Sequence, residues 1–174
     1  VNEFGELGID DVVQVYVNSA GWLVLRENGD LLSHIDGIPG QKDIKRICRG
    51  DADEVALITR AGGVIPFPRR TDPINRIPDG LGPVKDIYLS SFRQVAILED
   101  GSLLAWGTAH DGIDTRGNGE WKDKPILPPG RKAVAMSNVI AAMGLRMDDG
   151  KILRWGDNGG FGRSQSKFDA DPET

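Results

Sequence analysis

The chain has 174 residues and a net charge of −5, from 21 Lys and Arg against 26 Asp and Glu, with 23 Gly, 10 Pro and a single Cys. That length suffices for one domain with its own core, the lone Cys48 excludes an intrachain disulfide, and the acidic balance argues against a groove that tracks phosphates, because nonspecific nucleic-acid affinity rests on clustered Lys and Arg. There is no run of 18 apolar residues, no charged-then-apolar leader and no C-terminal lipidation box, so the sequence reads as soluble, cytoplasmic or virion-associated, without membrane attachment.

Apolar runs come in threes along the chain. Val12 to Val17 is followed by Trp22-Leu23-Val24-Leu25, the turn Glu27-Asn28-Gly29, and Leu31-Leu32-Ser33-His34-Ile35. Ile44 to Cys48 is followed by Val55-Ala56-Leu57-Ile58, the turn Arg60-Ala61-Gly62, and Val64-Ile65-Pro66-Phe67. Val84 to Leu89 precedes Val95-Ala96-Ile97-Leu98, the turn Glu99-Asp100-Gly101, and Leu103-Leu104-Ala105-Trp106-Gly107. Ala133 to Met136 precedes Met143-Gly144-Leu145-Arg146-Met147, the turn Asp148-Asp149-Gly150, and Ile152-Leu153-Arg154-Trp155-Gly156. The turn glycines Gly29, Gly62, Gly101 and Gly150 are spaced by 33, 39 and 49 residues, so the repeat lengthens by loop growth. Asx-Gly or Gly-Gly between two apolar runs marks a hairpin, and the sequence therefore predicts an all-β chain of four units with three strands each. No window carries a sustained 3.6-residue period, so little or no helix is expected. A single unit cannot bury its apolar face alone, and such an array is stabilised by stacking neighbours.

Acidic turn, Gly, four residues and Trp-Gly recur in the third and fourth units, and Trp155-Gly156-Asp157-Asn158-Gly159-Gly160-Phe161-Gly162 follows the last of them. In these features the chain resembles the β-propeller repeat family of the regulator of chromosome condensation. The resemblance implies units at about 11–42, 43–83, 84–131 and 132–163, with 1–10 as the tail of a preceding repeat and 164–174 as a C-terminal tail. Residues Asn2 to Asp10 match the passage after Trp-Gly without a Trp-Gly before them, which makes a partial or fragmentary ring the expectation beside a closed four-bladed one. The family's Gly-x-x-His ahead of the second strand is missing, its place being taken by Gly21, Asp53, Arg93 and Ala142. Trp106 and Trp155 are expected to pack onto a neighbouring blade, with Gly107 and Gly156 letting the backbone turn closely.

Catalytic material is sparse. His34 and His110 lie in different units, and Asp111, Asp114 and Glu120 lack the ligand spacing of a calcium loop, so neither catalysis, metal nor cofactor is expected. Interaction is the reading left, through loops held by a rigid scaffold. The Pro-stiffened segment from Pro66 to Pro78 carries Arg69, Arg70 and Arg76, and the segment from Thr108 to Pro129 carries Trp121 beside Lys122. Arg and Trp are enriched at binding hot spots, which makes these five residues the candidate contacts of a protein partner. The expected function is thus a non-enzymatic interaction or structural module within a larger assembly. The resemblance also implies two alternatives: a guanine-nucleotide exchange factor for a small GTPase, and an enzyme-inhibitor or surface-attachment propeller.

Overall fold

A computed structural model describes residues 9–50, 54–67, 76–89, 93–107, 125–139 and 142–156, and among them there is no helix. Twelve strands run in order: β1 (Val12–Asn18), β2 (Gly21–Arg26), β3 (Leu31–Ser33), β4 (Ile44–Arg49), β5 (Val55–Thr59), β6 (Val64–Phe67), β7 (Val84–Leu89), β8 (Arg93–Leu98), β9 (Leu103–Gly107), β10 (Ala133–Val139), β11 (Ala142–Met147) and β12 (Ile152–Gly156). They form four three-stranded antiparallel sheets, each a simple meander of consecutive strands. The all-β reading of the sequence and its four triplets are what the chain forms.

The second turn of each meander explains why glycine recurs there. Gly29, Gly62, Gly101 and Gly150 all have positive φ, between 83° and 90°. Their N–H groups donate to Arg26, Thr59, Leu98 and Met147, three residues back, at 2.9–3.1 Å. The preceding Asn28, Ala61, Asp100 and Asp149 keep negative φ, so these are four-residue turns closed by one left-handed glycine rather than two-residue turns with two such positions.

These turns also tie one repeat to the next. The carbonyls of Gly29, Gly62 and Gly101 accept the N–H of Ile44, Val84 and Ala133, each the opening residue of the following repeat's first strand, at 2.8–2.9 Å. One residue further along each first strand, a bulge recurs: the register slips between Val12 and Gln14, Ile44 and Arg46, Val84 and Asp86, and Ala133 and Ala135. A bulge bends and twists its strand, and its presence at the same place in all four first strands gives every repeat the same curvature.

Between the repeats lies the core, in three apolar layers. Leu23, Leu25, Leu31 and Ile38 of the first repeat pack on Ile44, Ile47, Val55 and Leu57 of the second. Cys48, Ala56 and Ile58 of the second meet Val84, Ile87, Leu89, Ala96 and Trp106 of the third. Tyr88, Val95, Ile97 and Ala105 of the third meet Ala133 and Leu145 of the fourth. Among the described residues no such layer joins the fourth repeat to the first. The first strands of successive repeats neighbour one another, β1 beside β4, β4 beside β7 and β7 beside β10, so they line the inside of an arc.

Trp106 pairs across the sheet with Gln94 and is buried against the second repeat. The equivalent places are Phe67, paired with Val55 and packed on the first repeat, and His34, whose N–H donates to the Trp22 carbonyl at 2.9 Å. The ring at the end of the third strand is therefore kept in the first two repeats, where the Trp-Gly spelling is gone.

Candidate functional site

Three places on the arc present chemistry, and the first lies on its inner side. The bulge places Gln14, Arg46, Asp86 and Ala135 at one structural position in the four repeats. Gln14 clasps the next repeat twice, its Nε2 donating to the Ile47 carbonyl at 2.7 Å and its Oε1 accepting the Ile47 N–H at 2.9 Å. One repeat on, Arg46 Nη2 stands 3.1 Å from Asp86 Oδ2. Asp86 Oδ1 accepts the Ile87 N–H at 3.0 Å and the Cys48 thiol at 3.4 Å. A hollow of about 210 Å³ opens beside this group, lined by Arg46, Cys48, Arg49, Asp86, Met136 and Ser137 among others.

Burial dominates the electrostatics there. Burial, seconded by the charge of Asp86, pushes the Cys48 thiol up to about 12, and burial raises the Asp86 carboxyl against the opposing pull of Arg46. A thiol so protonated is a poor nucleophile. The cluster fastens the second repeat to the third, one hydrogen-bonded position beyond the Gln14 clasp. Among the described residues, no group of three or more His, Cys, Asp or Glu is placed to hold a metal ion, and no helix is long and apolar enough to cross a membrane.

The second place is the outer face of the first repeat. Val12, Val13, Val15 and Val17 are 39%, 59%, 49% and 65% exposed. Register makes Val12 and Val15 equivalent to Ile44 and Ile47, to Val84 and Ile87, and to Ala133 and Met136. The isoleucines, Val84 and Ala133 are buried against the repeat before them. On this same face Trp22 stacks with His34, ring centroids 5.6 Å apart. Val12, Val15 and Val17, which the register sets on one face with Val24 and Trp22, form an exposed apolar patch of the kind that marks an interaction site.

The loops are the third place. Arg76 is exposed and pairs with exposed Asp79 at 2.9 Å, an arrangement that contributes little to stability and leaves the guanidinium at the surface. Arg69, Arg70, Trp121 and Lys122 lie outside the described residues. So do Asp111, Asp114, Glu120 and His110. Trp155 and Gly156 close β12, in register with Met143 and Ala142.

No family model matches the chain, and no curated protein sequence matches it. Solved structures do. Yeast RCC1 (Prp20), determined bound to Kap60, superimposes with a TM-score of 0.60 at 17% identity, over 85% of this chain and 42% of that one. The CRINKLY WD40 ectodomain of the Arabidopsis thaliana receptor kinase ACR4 gives 0.58 at 16% identity, over 88% and 52%. Human WBSCR16 gives 0.56 at 13% identity, over 84% and 48%. The fold is thus a β-propeller of the chromosome-condensation-regulator type, and the chain spans about half the length of the structures it matches.

Proposed function

We propose that this chain is a non-enzymatic protein-interaction module, an open arc of propeller repeats that works inside a larger assembly. The observation that carries the reading is the exposed Val12, Val15 and Val17 face, at positions whose counterparts in the later repeats are largely buried against a neighbour. The protonated Cys48 thiol and the ion-paired Asp86 act as fasteners between repeats, in keeping with a scaffold rather than a catalyst. Yeast RCC1 (Prp20), of the same fold, was determined in complex with a protein, Kap60, which lends support to protein partners at the level of fold.

The test is quantitative affinity capture from the source extract, with the wild-type chain and with Val15→Asp/Val17→Asp. Both positions are exposed, so the double variant should fold with nearly unchanged stability. The reading expects a protein retained in stoichiometric amount by the wild type and lost from the variant. Identical retention profiles for the two would contradict it.

A further inference from the structure

The inner edge of the arc presents one main-chain position in three successive repeats and treats it differently each time. Ile47, Ile87 and Met136 are equivalent by register, following Arg46, Asp86 and Ala135 and pairing with Leu57, Ala96 and Leu145. Residues of an antiparallel ladder alternate between bonding their partner and turning both main-chain groups away from it. Ile47 is of the second kind, because its N–H and its carbonyl both go to the Gln14 side chain, at 2.9 and 2.7 Å. The N–H of Ile87 is met by Asp86 Oδ1 at 3.0 Å. Met136 turns its N–H and carbonyl to the same inner edge, and among the described residues neither has a partner. The side chain equivalent to Gln14 in the repeat before it is Asp86, and that carboxyl is turned back onto Ile87, Cys48 and Arg46. Asp86 and Met136 both stand in the wall of the hollow of about 210 Å³, with Arg46 and Ser137. Every residue of that wall belongs to β4, β7 or β10. Repeats stack face to face, so a wall built on inner edges is independent of what adjoins the arc.

We propose that the hollow is a binding site for a primary carboxamide, the group carried by Gln and Asn side chains, held at Met136 as Gln14 is held at Ile47. The ligand's oxygen accepts the Met136 N–H and its nitrogen donates to the Met136 carbonyl. The second amide hydrogen has an acceptor in the same wall, since the Asp86 carboxyl keeps lone pairs beyond its contacts with Ile87, Cys48 and Arg46. A carboxylate of the same size fits worse. The charges of Arg46 and Arg49 attract it, yet Arg46 already faces Asp86. A carboxylate also has no hydrogen to give the Met136 carbonyl, so two acceptors would oppose each other there. A site that pairs both a donor and an acceptor with its ligand discriminates against the analogue that lacks one of them.

The probes are N-acetylglutamine methylamide and the matching glutamate compound, titrated into isotope-labelled protein and read by amide NMR at about pH 7, where the glutamate is ionised. The glutamine compound should shift the Met136 amide signal saturably, with a Kd in the millimolar range expected of so small a ligand. The glutamate compound should bind at least about tenfold more weakly. Free glutamine, run beside them, tells a free amino acid from a polypeptide side chain by which binds more tightly, and either result keeps the carboxamide. Hydrogen exchange gives a second readout: in the unliganded protein the Ile47 amide, held by Gln14, should exchange far more slowly than that of Met136. Asp86→Gln supplies the carboxamide from within, and this variant should protect the Met136 amide and lose the response to the glutamine compound. The absence of a saturable Met136 shift in the wild type overturns the proposal. Equal or tighter binding of the glutamate compound also overturns it, by making the hollow an anion site, as does a Met136 amide protected as well as that of Ile47 before any ligand is added. Should Asp86→Gln fold poorly, the two probes and the wild-type exchange rates decide without it. Failure of these small probes leaves the interaction-module reading standing.

Discussion

The Gly101 carbonyl accepts the backbone N–H of Ala133 at 2.8 Å, and that bond makes the hairpin turn of the third repeat the anchor of the fourth. Gly62 and Val84, and Gly29 and Ile44, repeat it. The turn glycine thus does two jobs: its positive φ closes the hairpin, and its bare Cα lets the next repeat approach.

Substitutions separate the two jobs. Gly150→Ala meets only the left-handed backbone cost, roughly 1–2 kcal/mol, because no atom lies within 4 Å of the added Cβ. Gly62→Ala adds a clash, with Pro83 Cα at 2.6 Å and Cβ at 2.7 Å. Chemical denaturation should therefore show Gly62→Ala to be clearly more destabilising than Gly150→Ala. Equal losses would mean that the turn does not anchor the next repeat.

Trp106 is 8% exposed, and its indole N–H is buried without a hydrogen-bond partner. The ring is held by packing against the second repeat. Trp106→Phe, which removes the unpaired donor along with modest volume, should cost less than about 1.5 kcal/mol, and Trp106→Ala about 3–5 kcal/mol. A Phe variant as unstable as the Ala variant would contradict this assignment.

Cys48 offers a chemical reading of the same core. With its thiol pushed up to about 12 and its side chain buried, it should not react with a disulfide reagent in the native protein at about pH 8. One equivalent should react on denaturation. Because the folded value lies above the ordinary 9.0, this thiol favours the folded state below that value, and the benefit is lost as pH rises toward 12. Prompt native labelling would show that the second and third repeats do not close over it.

Asp86 titrates with its own sign. Its folded value is raised, chiefly by burial, so the folded state holds the proton more tightly, and stability present below about pH 4 is lost as pH rises through the folded value. Asp11 and Asp100 are shifted the other way, by Arg26 and Ser102 respectively, so they lose stability as pH falls. Comparing wild type with Asp86→Asn cancels their contributions. Urea midpoints between about pH 4 and pH 7 should move in the variant's favour as pH rises. A gap moving toward the wild type would mean that Arg46 outweighs burial, and a constant gap that the two cancel; either would contradict this assignment.

The twelve strands and the turn glycines were legible because they depend on local chemistry: apolar runs bounded by residues that accept a positive φ. The bulges at Val13, Lys45, Lys85 and Val134 were not, since each extra residue belongs to a type that any strand accommodates and the slip exists only relative to a partner strand. His34 and Phe67 escaped notice as counterparts of Trp106 because register, rather than spelling, makes them equivalent. The loop candidates came from residue type alone, whereas the exposure of the β1 valines depends on how repeats pack on one another, a property of the array that no single strand encodes.

Native mass spectrometry of the endogenous protein, set beside the mass of its denatured polypeptide, tests the central claim that this arc functions joined to further protein. The account predicts a native species heavier than the 18.9 kDa of these residues, either as a complex with other subunits or as a polypeptide that carries more repeats. A clean native monomer of 18.9 kDa would contradict it.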